Sequence, residues 1–111
     1  MFERSRTGAV NIISGNDPLN LENIKGLEKL LDDCLVTGQP RVVFDLERIP
    51  LIDSAGLELL LRYQDLCAER GGVIKLAAPT PLCRDILTVT DVISRFDVLQ
   101  DSLSAVGSFS R

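Results

Sequence analysis

The sequence predicts an α/β domain built around a parallel strand–helix–strand unit. An apolar run at residues 41–49, RVVFDLERI, is followed by an amphipathic run that ends at Gly71-Gly72, and then by a second apolar run, VIKLAA, at 73–78. The two apolar runs lie within ~35 residues of each other with one helix between them, which is typical of a right-handed crossover between parallel strands. Strand and helix patterns also alternate along the rest of the chain.

The N-terminal part predicts two short strands, at about residues 2–5 and 9–14, joined by a turn at Thr7-Gly8. The stretch NDPLN after them favours a loop, because Pro18 fixes the local backbone and the Asn and Asp side chains suit turns and caps. We expect the next segment to be a helix with Gly38 as its C-cap, because apolar residues recur at helical spacing: Leu21, Ile24, Leu27, Leu30 or Leu31, and Cys34.

The C-terminal part continues the alternation. A helix begun by proline is predicted in the stretch PTPLCRDILTVTDV, a short edge strand in RFDVL at 95–99, and a terminal helical turn in DSLSAVGSF at 101–109. No repeat, linker or low-complexity tract divides the chain, so we expect a single domain over residues 1–111 with its core at about 2–107.

Composition excludes several classes of function. The 111 residues include no histidine, which removes Ser-His-Asp and Cys-His relays and imidazole metal sites. No glycine-rich phosphate loop is present, and a net charge of −4 without a basic patch disfavours nucleic acid. We therefore expect no enzyme activity, no cofactor and no bound metal.

The same features indicate the compartment. No apolar run approaches the ~20 residues that span a bilayer, and no apolar segment follows the basic residues at the N-terminus. An odd number of cysteines without CxxC spacing favours buried, reduced thiols at Cys34, Cys67 and Cys83. We expect a cytoplasmic protein that is not inserted in a membrane.

The stretch LIDSAGLELLLRY at 51–63 places an acid, a hydroxyl and a glycine at the start of a helix. Asp53 and Ser54 are both favoured N-cap residues, so one interpretation is that they simply begin the helix. The other is that Ser54 is modified, because it follows a strand at the edge where α/β proteins place functional loops. On that interpretation, Gly56 removes a side chain that would crowd a phosphate or a partner.

The segment from Val42 to Leu87 resembles a STAS domain, the family of the bacterial anti-sigma factor antagonists. The centre of the match is D-S-x-G-L at Asp53, Ser54, Gly56 and Leu57, flanked by the strand containing Asp45, the ERGG turn and the AAPTP loop. The resemblance extends over about residues 2–107. It implies a mixed central sheet with helices packed around it and a function in binding rather than catalysis.

The resemblance also implies a partner and a switch. The serine after the motif aspartate is phosphorylated by an anti-sigma factor that is also an ATP-dependent serine kinase, and phosphorylation ends capture of that partner. Here this position is Ser54. The partner-binding positions would be the rest of the motif and residues of two flanking loops: Asp53, Ala55, Gly56, Leu57, Asn16, Asp17, Pro79 and Thr80. We expect the two loops, Gly15–Asn20 and Pro79–Thr80, to project beside Ser54 and to be more exposed than Leu57 or Leu60.

Three positions depart from the antagonist pattern. Ala55 replaces a second hydroxyl that many members have, and Glu58 replaces a glycine that often follows the motif leucine. The loop that usually contains G-x-x-D has Pro18 where the acid is expected, with Asp17 one place earlier. These differences bear on recognition by a kinase more than on the fold.

Three other functions are alternatives to this one. A phosphorylation-independent STAS scaffold, in a lipid-transport or stress-signalling assembly, would keep the fold and use D-S-x-G-L for docking. A phospho-acceptor receiver domain would need an acidic pair after the first strand and a lysine late in the sheet, and neither is in place. A hydrolase using Ser54 would need a base, and the sequence offers none nearby.

Overall fold

Strands and helices alternate in a computed structural model that describes residues 1–36 and 38–110. Its elements in chain order are β1 (Phe2–Thr7), β2 (Val10–Gly15), α1 (Ile24–Cys34), β3 (Arg41–Asp45), α2 (Ser54–Glu69), β4 (Val73–Ala77), α3 (Pro81–Val89), β5 (Val98–Leu99) and α4 (Ser102–Ser108). A 3₁₀ turn at Val92–Arg95 lies between α3 and β5.

The five strands form one mixed sheet in the order β1-β2-β3-β4-β5. The hairpin β1–β2 is antiparallel and each later pair is parallel, so both the strand–helix–strand core and the mixed sheet are confirmed. The main hydrophobic core lies between the sheet and helices α1, α2 and α3, while α4 packs against the other face of the sheet through Ala105.

Strand β1 is longer than the sequence predicted, and β2 has the predicted length but begins and ends one residue later. Strand β1 extends to Thr7 and β2 to Gly15, and the turn lies at Gly8-Ala9 rather than Thr7-Gly8. Gly8 has a φ of +60°, a conformation that glycine adopts without steric strain, and this allows a two-residue hairpin turn.

Helix α1 is shorter than its apolar pattern. It begins at Ile24 and ends at Cys34 with Leu35 as C-cap, so the predicted cap at Gly38 is wrong. Gly38 lies in the following loop, where its positive φ of +48° serves the connection to β3. Leu21 was expected on the buried face, but it precedes the helix and is exposed.

Strand β3 ends at Asp45, so the second half of the predicted strand is a loop. Residues 46–53 stay close to the core because three apolar side chains in this loop are buried at three-residue intervals: Leu46, Ile49 and Ile52. The loop is therefore a fixed connection between β3 and α2.

A buried glutamine completes the outer edge of β4. Strand β5 pairs only with Leu76 and Ala77, which leaves Ile74 without a strand partner on that side. The Gln64 side chain supplies one: its Oε1 accepts from Ile74 N at 2.7 Å, and its Nε2 donates to Ile74 O at 3.1 Å and to Arg95 O at 2.8 Å. Helix α2 is thus joined to the sheet by hydrogen bonds as well as by apolar packing.

The cysteines are free and buried, as expected. Burial raises the pKa of the Cys34 and Cys67 thiols from 9.0 to about 11, so both are neutral near pH 7. Burial and a 2.6 Å hydrogen bond to Asp32 likewise raise the pKa of Tyr63 to about 12. None of the described helices combines the length and apolar character needed to cross a membrane.

Candidate functional site

Three connecting segments meet at the edge of the sheet where β2, β3 and β4 end. They are residues 16–23, 46–53 and 78–80. Leu19 and Ile52 form an isolated parallel bridge, in which Leu19 N donates to Leu51 O and Asp53 N donates to Leu19 O, both at 3.0 Å. The first segment is therefore bonded to the backbone immediately before Ser54.

Asp53, not Ser54, caps α2. Its backbone is extended, with φ −95° and ψ −174°, and its carboxylate accepts a 3.0 Å hydrogen bond from Gly56 N. Ser54 is the first helical residue and is exposed. The hydroxyl is thus not needed to start the helix, which corrects the interpretation that both residues act as N-caps.

Gly56 is buried beneath the site, and this corrects its expected role. A Cβ at this position would lie 2.4 Å from Leu19 O and 2.9 Å from Ile52 Cγ2. The glycine is therefore required by the bridge between Leu19 and Ile52, not by room for a phosphate or a partner.

The remaining residues at the start of α2 differ in exposure. Ala55 and Leu57 are half-buried, and Leu57 packs against the main core. Glu58 is exposed one turn after Ser54. Residues 54 and 58 lie on the same side of the helix because side chains four positions apart are neighbours.

The β2–α1 segment is only partly exposed. Asn16 is exposed and Asp17 is half-buried. The side-chain oxygens of both accept hydrogen bonds from the amino group of Met1. Leu19 is fully buried, so the expectation that the whole loop from Gly15 to Asn20 projects from the surface is wrong. The bridge to Ile52 draws Leu19 into the core.

The β4–α3 segment also has a structural role. Pro79 and Thr80 are half-buried, and Thr80 caps α3 by accepting from Cys83 N at 3.2 Å. Cys83 Sγ in turn donates to Ile49 O at 3.2 Å, which joins α3 to the loop before Ser54. Ala78 has a φ of +51°, a strained conformation for alanine that nothing in the sequence signalled.

Ser54 is exposed and lies outside the best-formed cleft of the described residues. This cleft of about 490 Å³ lies at the start of β1 and the ends of β2 and β3, and Ser54 does not line it. The lining residues are Met1, Glu3, Ser14, Gly15, Asn16, Asp45, Glu47 and Arg48. Within residues 1–36 and 38–110, no group of three or more acidic or cysteine side chains could hold a metal ion. The arrangement suits contact with another macromolecule.

These features define an α/β domain with a mixed sheet and an exposed serine at the start of a central helix. Comparison with known families makes the class specific, because the STAS domain profile matches residues 2–105. The chain belongs to the STAS domain family. Within it, the protein is of the anti-sigma factor antagonist-like kind.

Sequence and structural relatives agree. BtrV of Bordetella bronchiseptica, which bears the provisional name of anti-sigma factor antagonist, is 30% identical over 91 residues, covering 82% of this chain and 78% of BtrV. A crystal structure from Thermotoga maritima, also named provisionally as such an antagonist, has a TM-score of 0.91 at 22% identity and covers 99% of this chain and 95% of its own.

The Bacillus cell fate determinant SpoIIAA in its phosphorylated form has a TM-score of 0.76 at 15% identity, with 98% of this chain and 99% of that chain covered. At such identities, the two structural likenesses show the fold alone.

Proposed function

We propose that this protein is a regulatory binding protein that captures an anti-sigma factor and releases it when that partner, an ATP-dependent serine kinase, phosphorylates Ser54. One observation carries the proposal: Ser54 is exposed at the first position of α2, while Asp53 alone caps the helix. The hydroxyl can therefore be modified without removing a contact that the fold needs. Neither a cofactor nor a metal is required in this chain.

The start of α2 can accommodate the added charge. The first backbone N–H groups of a helix have no partner within the helix, and the helix dipole favours an anion there. Asp53 Oδ1 already bonds Gly56 N, so the Ser54 and Ala55 N–H groups remain nearest to a phosphate on Ser54. Phosphorylation should change the surface and leave the fold intact.

The same phosphate would oppose binding. Glu58 lies one turn further along the exposed side of the helix, and Asp53 precedes Ser54, so a phosphate would bring close to two negative charges to a surface that is already acidic. A partner surface that fits the neutral hydroxyl would have to desolvate that charge. The expected result is release.

The proposed contact surface is smaller than the predicted set of residues. Two of its residues are exposed, Ser54 and Asn16. Six more are half-buried and offer part of their side-chain surface: Asp17, Asp53, Ala55, Leu57, Pro79 and Thr80. Gly56 is buried and contributes indirectly, because its lack of a side chain lets the Leu19 backbone pack against α2. These residues remain a proposed interface.

A direct test is the intact mass of the protein purified from its own cells. We expect a fraction with one added phosphate, and tandem mass spectrometry should locate it at Ser54 rather than at Thr80 or Ser102. A protein that is unmodified in every growth condition, including those in which its regulon is silent, would contradict the switch.

Substitution of Ser54 gives a quantitative test against each purified serine-kinase anti-sigma factor of the source genome. Ser54→Ala should bind as wild type does, because the neutral hydroxyl is not a main source of affinity. Ser54→Asp should bind more weakly by roughly 2–5 kcal/mol, since a charge is desolvated without a partner. Calorimetric titration measures both, and melting temperatures should agree because Asp53 remains as the cap.

If Ser54→Asp binds as tightly as wild type, the charge switch is wrong. The phosphorylation-independent scaffold would then be the better description of this protein.

A further inference from the structure

We propose that the free side of β1 is a second binding site, which accepts an extended, acidic segment of another protein as an additional strand of the sheet. The segment carries acidic side chains at alternate positions, opposite Arg4 and Arg6. This surface runs along the side of the sheet rather than across the ends of β2, β3 and β4. The inference is therefore independent of Ser54 and goes beyond the proposed function.

Strand β1 leaves one side of its backbone without a strand partner. It is first in the order of the sheet and, among the described strands, pairs with β2 alone, in an unbroken register from Phe2–Gly15 to Thr7–Val10. Five of its six residues are exposed, and neither a proline nor a bulge interrupts it. Proteins usually protect such an edge with a proline, a bulge or charged side chains, and β1 has only the charges.

The hairpin turn determines which backbone groups point outward. A two-residue turn joins β1 to β2, so Thr7 and Val10 form the closing hydrogen-bonded pair. Such pairs recur at every second residue, and the N–H and C=O groups of the residues between them point away from β2. Arg4 and Arg6 are two of these residues. An incoming strand therefore forms its hydrogen bonds at the two arginines.

The side chains of both arginines lie on the face of the sheet that contributes to the main core. Alternate residues of a strand share a face, and Phe2, two residues before Arg4, packs against that core. Arg4 Nη1 donates a 3.1 Å hydrogen bond to Oδ1 of the buried Asn11, which fixes the course of the Arg4 side chain along the strand. Among the described residues, neither Arg4 nor Arg6 forms an ion pair. Both guanidinium groups are available to carboxylates.

The chemistry of the partner follows from this geometry. Directly opposed residues of an antiparallel pair lie on the same face, so the residues opposite Arg4 and Arg6 are two positions apart in the incoming strand. A carboxylate at each position gives two cross-strand pairs of opposite charge. Glu3 points to the other face, so the sheet separates it from these carboxylates. The net charge of −4 means that general attraction does not bring an acidic segment to this edge.

A second copy of this chain is a poor antiparallel partner for the same edge. Two copies related by a two-fold axis perpendicular to the sheet bring residues of the same face together. In the registers that pair the most residues, Arg4 then lies opposite Arg4 or opposite Arg6. Like charges directly opposite each other are destabilising. The arginines therefore disfavour self-pairing and favour an acidic strand.

Synthetic peptides test the site on the intact protein. The probe is a short peptide of alternating glutamate and threonine with both ends blocked, added at neutral pH to isotope-labelled protein and followed by NMR. We expect the backbone amide signals of Arg4 and Arg6 to move and their exchange with solvent to slow, while the signals of α2 stay in place. A peptide with lysine at each glutamate position should bind roughly tenfold more weakly. Equal binding of the two peptides, or binding of neither, overturns the inference.

Methylation of the peptide backbone distinguishes strand addition from charge attraction alone. The N–H groups of the glutamates face β1 in this arrangement, so methylation of the glutamate nitrogens should abolish binding. Methylation of the threonine nitrogens should preserve it, because those groups face solvent. If both methylated peptides bind equally well, the peptide is not an added strand and the inference is wrong.

Variants of the protein locate the site. Arg6→Gln should weaken binding of the glutamate peptide by roughly threefold to fivefold. Arg84→Gln is the matched control, because Arg84 is exposed on α3, and it should leave binding unchanged. The double variant Arg4→Glu, Arg6→Glu should bind the lysine peptide in place of the glutamate peptide, and melting temperatures verify that each variant folds. Equal losses in Arg6→Gln and Arg84→Gln would place the peptide elsewhere and overturn the inference, while the proposed function would stand.

Discussion

Gly56 shows how a single absent side chain determines the site. It lies in the first turn of α2 with the Leu19 carbonyl directly against it, and a Cβ would lie 2.4 Å from that oxygen. The backbone of Gly56 is helical, so the constraint is one of space rather than of conformation. The Leu19 segment can lie flat beside Ser54 only because this position has no side chain.

Gly56→Ala should therefore destabilise the protein by about 2 kcal/mol, the typical effect of forcing extra volume into a packed region. Urea unfolding followed by circular dichroism measures the change. Gly26→Ala is a matched control, because Gly26 is also helical but has nothing within 4 Å of a Cβ. It should stabilise the protein by roughly 0.5–1 kcal/mol through helix propensity. A Gly56→Ala variant as stable as wild type would contradict the packing described here.

The sequence predicted that residues 53–57 form a special helix start, but not why. The motif and its flanking patterns identified Asp53, Ser54 and Gly56 as important. The neighbour of Gly56 is Leu19, which is distant in the chain, and no local pattern reveals such a contact. The sequence also left open which of Asp53 and Ser54 is the cap, because both residue types are favoured at that position.

Among the elements, α2 and β4 depend on each other through Gln64. The glutamine side chain bonds both polar backbone groups of Ile74 and also Arg95 O, where β5 is too short to pair with β4. Buried backbone groups need partners, so this one side chain takes the place of a longer edge strand.

Gln64→Leu should lower the free energy of unfolding by roughly 2–3 kcal/mol, because it leaves buried backbone donors and acceptors unsatisfied. Thermal and urea unfolding measure this loss. Asp65→Ala is the neighbouring control: Asp65 pairs with Arg95 at the exposed surface and should contribute less than 1 kcal/mol. Equal stabilities for the two variants would show that Gln64 does not hold the edge of β4.

The order and type of the elements were predictable, whereas several boundaries were not. Apolar periodicity located α2, β4 and α3, and Pro81 marked the start of α3 at its N-terminal position. The pattern failed after Asp45, because Leu46, Ile49 and Ile52 are buried from a loop and resemble a continuing strand. Gln64 is polar, so periodicity alone would have placed it toward solvent.

On the scale of the whole molecule, the buried thiols link stability to alkaline pH. Cys34 and Cys67 titrate near 9.0 when unfolded, but their pKa values are about 11 in the folded protein. Between these values the unfolded chain releases protons that the folded chain retains. The free energy of unfolding therefore falls as the pH rises from 9 to 11. The stabilisation that comes from keeping both thiols protonated is fully present below pH 9.

Urea midpoints at pH 7, 9, 10 and 11 should show this decline for wild type. The double variant Cys34→Ala, Cys67→Ala should be less stable at pH 7 because of lost packing, but its stability should fall less steeply above pH 9. A decline as steep as that of wild type would mean that other groups with a raised pKa, such as Tyr63 or Cys83, account for the pH dependence.

The order of the sheet has a consequence for how a kinase could recognise this protein. Among the described strands, only the β1–β2 hairpin joins neighbours through a two-residue turn. The other pairings are parallel, and each requires a crossover that contains a helix, so they depend on contacts between residues distant in the chain. The surface around Ser54 is assembled from three such crossovers, so it exists only once the chain has finished folding. A short peptide containing LIDSAGLELLLRY carries the serine but lacks the segments 16–23 and 78–80 that lie at the same edge of the folded sheet. If a kinase acts on Ser54 as proposed, it would recognise a conformational epitope, and phosphorylation would mark folded molecules while sparing nascent or misfolded chains.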